Sequence, residues 1–298
     1  MKNELLVIIP SVRSAKLLNT VKSIQNQIGF KTIHIIISGL VSMNKKTVKE
    51  IKNKYKNITF AKIPIKSKVI LPPRARNLGL RMAKTIIKKN RNRKWILFID
   101  DDVIIPPDYC ISLVNFIIKN KVIVAAMGNM KSTPPSFFGK IIDYSNFWWL
   151  QLAESNLDRG WIASAAVLIE YKYVRNFLFD EKYMYVGEDV DFFNRIANTY
   201  NKTLGIYTKI ECQHFHNRTN LFSFLKYQFN NGYFNFDWYY TNNRSFIFHF
   251  WNRLVTSYNM AISENFEFYK SRKFLAICVF FSFLVCELGV LYGSLKNR

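Results

Sequence analysis

Three consecutive carboxylates, Asp100, Asp101 and Asp102, follow directly on an apolar run at 95–99. Adjacent acids repel one another, and such a cluster is costly unless a cation sits among them. On an extended segment residues i and i+2 point the same way, so Asp100 and Asp102 are expected to face one metal or one ligand. Mg2+ takes one or two protein carboxylates and completes its shell with substrate phosphates and water. The plain alternative is an Asp-rich surface turn, although a turn rarely follows a buried apolar run so directly.

A second acidic group, Glu188, Asp189 and Asp191, follows Gly187 and opens a helical pattern in which Phe192 and Ile196, or Phe193 and Ala197, share a face. Acids in a first helical turn complement the helix dipole. The same dipole keeps a carboxylate ionised, as a general base must be. His214 and His216 follow an apolar strand at i and i+2, so either can aim at the metal as a neutral imidazole or serve packing alone. His34, inside a strand, and His249, in an aromatic run, read as packing residues. Arg74 and Arg76 stand at the head of a helix, where forked donors beside free backbone N–H groups can meet phosphate oxygens. A solvated helix start is an equally good reading for Arg74. Trp161 and the pair Trp148 and Trp149 can stack on a sugar or a lipid, or fill core.

The elements that must position these groups alternate. Short apolar strands are predicted at 5–9, 32–37, 58–61, 95–99, 122–127, 161–169 and 204–210. The first stops at Pro10 and Ser11, the second at Ser38 and Gly39. Between them lie helical spacings: Leu17, Leu18, Val21 and Ile24; Val48, Ile51 and Tyr55; Leu78, Met82 and Ile86, led in by a loop at Pro72 and Pro73; and Ile111, Val114 and Ile118, begun by Pro106 and Pro107. Strands alternating with such helices predict an α/β fold with a mostly parallel sheet flanked by helices. Ligands of open α/β sheets bind beyond the carboxyl ends of the strands, where Asp100, Asp101 and Asp102 fall. Residues 131–160, rich in Pro, Ser, Asn and aromatics, read as a long functional excursion.

The 298 residues suffice for one large α/β domain with an appendage. Lys and Arg total 43 against 20 Asp and Glu, a formal charge of +23. That implies an anionic partner: phosphorylated substrates, an acidic membrane surface or nucleic acid, unless the excess only records a Lys- and Asn-favouring genome. No nucleic-acid-binding module is visible, and no nucleic-acid partner is expected. Cys110, Cys212, Cys278 and Cys286 form neither a zinc pattern nor a disulfide framework, which suits a reducing compartment. No signal peptide is expected at the N-terminus, where Glu4 interrupts the pattern. Membrane signal lies at the other end. Residues 274–292 are almost wholly apolar and just long enough to span a bilayer, with Glu287 expensive if it faces lipid. An in-plane anchor or buried hairpin is the alternative. The aromatic stretch 222–253 suits a membrane interface. The expected organisation is a catalytic domain at 1–220, an aromatic amphipathic, membrane-interfacial extension at 221–270 and a hydrophobic anchor at 271–298. The protein is then membrane-associated, with its catalytic domain cytoplasmic.

Taken together and in order, these motifs resemble family 2 glycosyltransferases of the GT-A fold. Residues 7–11 are similar to that family's first strand, and Ser23 with Gln27 to its Ser-x-x-x-Gln helix end. Ala75, Arg76, Asn77 and Gly79 resemble its Ala-Arg-Asn-x-Gly segment, residues 98–102 its D-x-D strand, and 187–191 its Glu-Asp motif. The resemblance covers roughly 4–235 and implies an inverting transfer from a nucleotide-diphosphate sugar to a hydroxyl of a glycan or glycolipid acceptor. It implies Asp189 as catalytic base, Trp161 and Glu188 at the acceptor, and Pro10, Ser11, Arg76, Asn77, Asp100 and Asp101 at the nucleotide sugar. Mn2+ or Mg2+ would be held by Asp102 with Asp100 and with His214 or His216. One departure concerns the donor: many relatives end the second strand in an Asp that contacts base or ribose, and here Ser38 and Gly39 stand there. The rival readings are a polyprenyl-phosphate glycosyl synthase and a non-catalytic membrane or nucleic-acid-binding protein.

Overall fold

The computed structural model describes residues 3–11, 16–39, 45–63, 71–89, 95–133, 136–146, 162–183, 187–216, 218–241, 251, 254–255 and 272–296. Trp148, Trp149, Trp161 and His249 lie outside them. Eight strands form one sheet in the order β3-β2-β1-β4-β7-β6-β8-β5. They are β1 (Asn3–Pro10), β2 (Phe30–Ser38), β3 (Ile58–Ala61), β4 (Trp95–Ile99), β5 (Val103–Ile104), β6 (Ile123–Ser132), β7 (Ala166–Glu170) and β8 (Thr203–His214). The helices are α1 (Leu17–Gln25), α2 (Lys45–Lys54), α3 (Pro72–Lys89), α4 (Tyr109–Lys119), α5 (Phe137–Asn146), α6 (Tyr171–Val174), α7 (Glu188–Thr199), α8 (Leu221–Thr241) and α9 (Arg272–Lys296).

The α/β expectation holds, and the parallel pairing belongs to the first half of the sheet: β1 pairs parallel with β2 and β4, and β2 with β3. β7 runs antiparallel to both β4 and β6, and β5 antiparallel to β8. Two consequences follow for the site. Ile8 pairs with Phe98, so two residues further on Pro10 and Asp100 emerge from the same edge. β7 starts at that edge, because Ala166 pairs with Ile99, and it carries residues 164 and 165 to the mouth of the sheet.

Several elements differ from expectation for local reasons. Pro72 and Pro73 lie inside the first turn of α3, where a missing N–H costs nothing. Pro106 and Pro107 lie before α4 instead of beginning it, with Asp108 at its N-cap. β6 continues past Gly128 to Ser132. A side chain at Gly128 would strike the Tyr109 ring and the carbonyl of Ile210, so the strand needs a glycine there to stay in the sheet. Within the excursion, 137–146 folds as α5.

The chain divides into two compact units. The first comprises Met1–Lys131, Ala153–Met184 and Glu188–Phe215. Its core is the set of fully buried strands, including all of residues 5–9 and 96–99. α3 packs on β1 and β2. A cluster of rings fixes the start of α7: Phe98 meets Phe179, Phe192 and Phe193 edge-on at 5.6, 5.8 and 6.0 Å, and Phe179 stacks on Phe192 at 3.8 Å.

The second unit comprises Ser132–Leu152, Tyr185–Gly187 and His216–Arg298. Its core joins three helices through Ile141 and Ile142 of α5, Phe224 of α8, and Leu275, Val279 and Phe283 of α9. Gly232 and Gly289 set the α8–α9 spacing. A Cβ at either would collide with the partner helix's backbone, at Cys286 O and Phe229 O respectively. Inside this packing the Gln228 amide nitrogen lies 2.9 Å from Ser145 Oγ, 2.9 Å from Asn146 Oδ1 and 2.6 Å from Ser282 Oγ.

Candidate active site

The three acids do not continue β4 as an extended strand. Val103 N–H donates to Asp100 O at 3.3 Å, closing a turn between β4 and β5. Asp100 and Asp102 consequently meet different partners. Asp100 Oδ1 accepts from Arg76 Nη2 at 2.9 Å, whereas Asp102 Oδ1 lies 3.4 Å from His214 Nε2. The β5–β8 register explains the second pairing, because His214 stands opposite Val103. The turn is also tied from behind: Thr20 Oγ1 donates to Asp101 O at 3.0 Å, and Phe215 N–H to Asp102 O at 2.8 Å. Lys16 Nζ, at the start of α1, donates to Phe215 O at 2.7 Å.

Arg76 joins the two acidic motifs. Its Nη1 donates to Glu188 Oε1 at 2.7 Å while Nη2 holds Asp100, and the side chains of Arg76 and Glu188 are each 6% exposed. Burial alone would lower the guanidinium's pKa, but Asp100, Glu188 and Asp189 outweigh it and hold it above the ordinary value. Burial also pushes Glu188 up to about 7, with the charge of Asp189 adding and Arg76 opposing. Asp189 is raised by burial as well, against Arg76 and two backbone donors. Those donors fix its carboxylate: Ser164 N–H to Oδ2 at 3.0 Å and Val190 N–H to Oδ1 at 2.9 Å. Asp191 takes no part, because its Oδ2 accepts from Arg195 Nε one turn on, at 2.8 Å.

Of the remaining sequence-predicted residues, Pro10, Ser11 and Asn77 belong to the same unit as this edge. Pro10 pairs with Ser38, and Ser11 N–H donates to Ser38 O at 2.8 Å. Asn77 is clamped: Oδ1 accepts from Phe179 N at 2.7 Å, and Nδ2 reaches Phe179 O at 2.9 Å and Glu181 Oε1 at 3.0 Å. His216 lies in the second unit, with both ring nitrogens bonded: Nδ1 accepts from Arg218 N–H at 3.2 Å and Nε2 lies 2.8 Å from Ser132 Oγ. Arg74 is exposed, and His34 bonds Thr59 Oγ1 at 2.8 Å. Sequence reasoning did not find Ser164, Lys16 or Thr20. Ser164 and Lys16 act on the site through backbone groups, and no spacing signals that.

Buried polar atoms without a hydrogen-bond partner gather at the same edge: Ser11 Oγ, Ser38 Oγ, Ser164 Oγ and Arg76 Nε. Such atoms call for a ligand or solvent to complete them. A carboxylate and an imidazole, Asp102 and His214, make a donor pair suited to a divalent cation that takes its other ligands from phosphate and water. Among the described residues no larger group of His, Cys, Asp or Glu is assembled for a metal. The pair therefore fits a cation shared with a substrate.

Residues 6–169, more than half of the chain, match the family described as glycosyl transferase family 2, and the protein belongs to that family. The matched segment contains Arg76 and Asp100–102; Glu188, Asp189 and His214 lie beyond it. Among solved structures the chain is similar to S. aureus TarS, with a TM-score of 0.52 at 13% identity. The match covers 94% of this chain and 43% of TarS, so the protein shares that fold over less than half of the other chain's length. No curated protein matches by sequence. The fold is GT-A-like.

Proposed function

We propose that the protein moves a sugar, with inversion, from a nucleotide-diphosphate sugar to a hydroxyl of a lipid-linked or cell-surface glycan. The observation that carries this reading is the Arg76 bridge. One guanidinium holds Glu188 at 2.7 Å and Asp100 at 2.9 Å, so the acid-led helix and the Asp turn form one site. Asp189 takes the acceptor's proton as the hydroxyl attacks the anomeric carbon. Its two backbone donors orient it, and burial raises its basicity. Glu188, fixed by Arg76, and Trp161 orient the acceptor. Pro10, Ser11, Asp100 and Asp101 line the nucleotide side; Arg76 and Asn77 support it from α3 through Asp100 and the Phe179 segment. Asp102 and His214 would hold Mn2+ or Mg2+, which when bound offsets charge on the departing diphosphate. His214 is preferred to His216 because it faces Asp102 while both His216 nitrogens are engaged. Such sites gain chiefly from positioning and from stabilising leaving-group charge.

α9 contains a segment, Phe274–Lys296, long and apolar enough to cross a membrane, with half of its most apolar window packed inside the protein. This supports membrane attachment through the C-terminus; the catalytic unit on the cytoplasmic side and a membrane-borne acceptor are the remaining parts of the proposal. Asp189→Asn tests the chemistry. It is expected to cut nucleoside diphosphate release in the presence of acceptor by at least about a hundredfold while donor affinity stays within about twofold. Turnover near wild type removes Asp189 as the base.

A further inference from the structure

We infer that Arg218 is the recognition point of an anion site in the second unit, built to take the oxyanion of a phosphate group. The inference stands on that unit alone and does not depend on the assignment of the transfer chemistry. A chain of hydrogen bonds fixes the residue's backbone. Ser132 Oγ donates to Asp143 Oδ1 at 2.5 Å, and Ser132 N–H lies 3.1 Å from each oxygen of the same carboxylate. With Ser132's proton directed to Asp143, His216 Nε2 donates to Ser132 Oγ. His216 Nδ1 is then the acceptor for Arg218 N–H. Asp143, Ser132 and His216 are all buried, so the chain holds the position of residue 218 rigidly.

The side chain is held as firmly but is not neutralised. The guanidinium carbon stands 3.6 Å over the Tyr227 ring, full stacking contact. The Tyr227 hydroxyl is itself within 3.4 Å of the Asn146 amide. Among the described residues no carboxylate pairs with Arg218, and its Nη1 is a buried donor without an acceptor. The carboxylate at the far end of the hydrogen-bond chain, Asp143, is engaged by Ser132. A charged donor left unsatisfied costs stability that a phosphate oxygen would recover. A guanidinium stacked on a ring, with its planar fork oriented and no carboxylate competing for it, is suited to bidentate contact with phosphate. The structure thus keeps a cation rigid, desolvated on one face and unpaired, which packing alone does not require.

The phosphate can come from a lipid headgroup or from a soluble molecule, and the test separates the two. The full-length protein is titrated with inorganic pyrophosphate, with phosphatidylcholine vesicles carrying phosphatidic acid, and with phosphatidylcholine vesicles carrying phosphatidylserine at matched charge. Arg218→Gln, Arg218→Lys and Lys226→Gln are compared with wild type; Lys226 is an exposed cation on α8 outside the network. Wild type is expected to bind pyrophosphate or the phosphatidic acid vesicles. Arg218→Gln is expected to weaken that binding at least about tenfold, Arg218→Lys to recover part of it, and Lys226→Gln to change it less than about twofold. Binding of pyrophosphate identifies a soluble phosphate, and binding of phosphatidic acid vesicles over phosphatidylserine vesicles identifies a lipid headgroup. Without probe, Arg218→Gln is expected to melt no lower than wild type, because it removes an unsatisfied buried donor. Four results overturn the inference: no binding of any probe, unchanged binding by Arg218→Gln, an equal loss in Lys226→Gln, or an Arg218→Gln melting temperature several degrees below wild type.

Discussion

Replacing Arg76 with methionine removes the charge between the two acidic motifs and keeps most of the side-chain volume. Arg76 and Glu188 are each 6% exposed and sit 2.7 Å apart, and Asp100, 32% exposed, shares the same guanidinium. Removing one partner of a buried pair costs about 3–5 kcal/mol, because the other charge is left without compensation. For a chain of this size that is a fall in melting temperature on the order of 10 °C. The loss must depend on pH, and the sign follows from Glu188. Burial, then Asp189, raise it to about 7 from 4.5 while Arg76 pulls it back. The folded state therefore keeps a proton that the unfolded chain releases. The Glu188 contribution to wild-type stability accordingly declines as pH rises from about 4.5 to about 7 and is level above that. Without Arg76 the Glu188 carboxyl rises further, so the decline continues to higher pH at up to ~1.4 kcal/mol per pH unit. Thermal melts of both proteins from pH 5 to pH 8.5 measure this. The gap between them should be widest at the alkaline end and less than half as large at pH 5, and adding Glu188→Gln to Arg76→Met should narrow the alkaline gap. A gap independent of pH, or under ~1 kcal/mol throughout, refutes the reasoning.

Four further outcomes follow from the same geometry. His214→Ala should weaken Mn2+ binding in the presence of a nucleoside diphosphate by about 10–100-fold, read by electron paramagnetic resonance. His216→Ala should leave that affinity within about twofold yet lower the melting temperature, because it strips partners from Ser132 and from Arg218 N–H. Asn77→Ala should cost about 1–3 kcal/mol in urea unfolding, since it leaves the backbone of Phe179 without its acceptor and donor. Gly232→Leu or Gly289→Leu should separate α8 from α9, whose backbones meet at those glycines, and raise proteolysis within the second unit.

The strands of the first half were legible because each is a short apolar run closed by a turn residue, and 95–99 and 58–61 match the folded strands to the residue. The direction of β7 was not legible. Nothing in residues 166–170 says whether a chain returning from a long excursion enters the sheet at its carboxyl edge or its amino edge. That direction puts Ser164 within reach of Asp189, so the least readable strand supplies a donor to the proposed base. The Asp triplet shows the opposite case. Its residue types announced a charged site, but the expectation that Asp100 and Asp102 share a face assumed an extended backbone. The Val103–Asp100 hydrogen bond closes a turn instead and sends one carboxylate to Arg76 and the other to His214. Arg76 was legible as a functional cation by its place at a helix start, not by its partners, because Glu188 is 112 positions away in sequence.

The central claim is that this site binds a nucleotide-diphosphate sugar through Asp102 and His214 and transfers the sugar through Asp189. Isothermal titration of the purified protein against a panel of nucleotide-diphosphate sugars, with and without Mn2+, tests it most directly. At least one donor should bind at least about tenfold more tightly with Mn2+; that gain should disappear in Asp102→Asn and persist in Asp189→Asn. Absence of Mn2+-dependent binding to any donor in the panel, or a gain that survives Asp102→Asn, contradicts it.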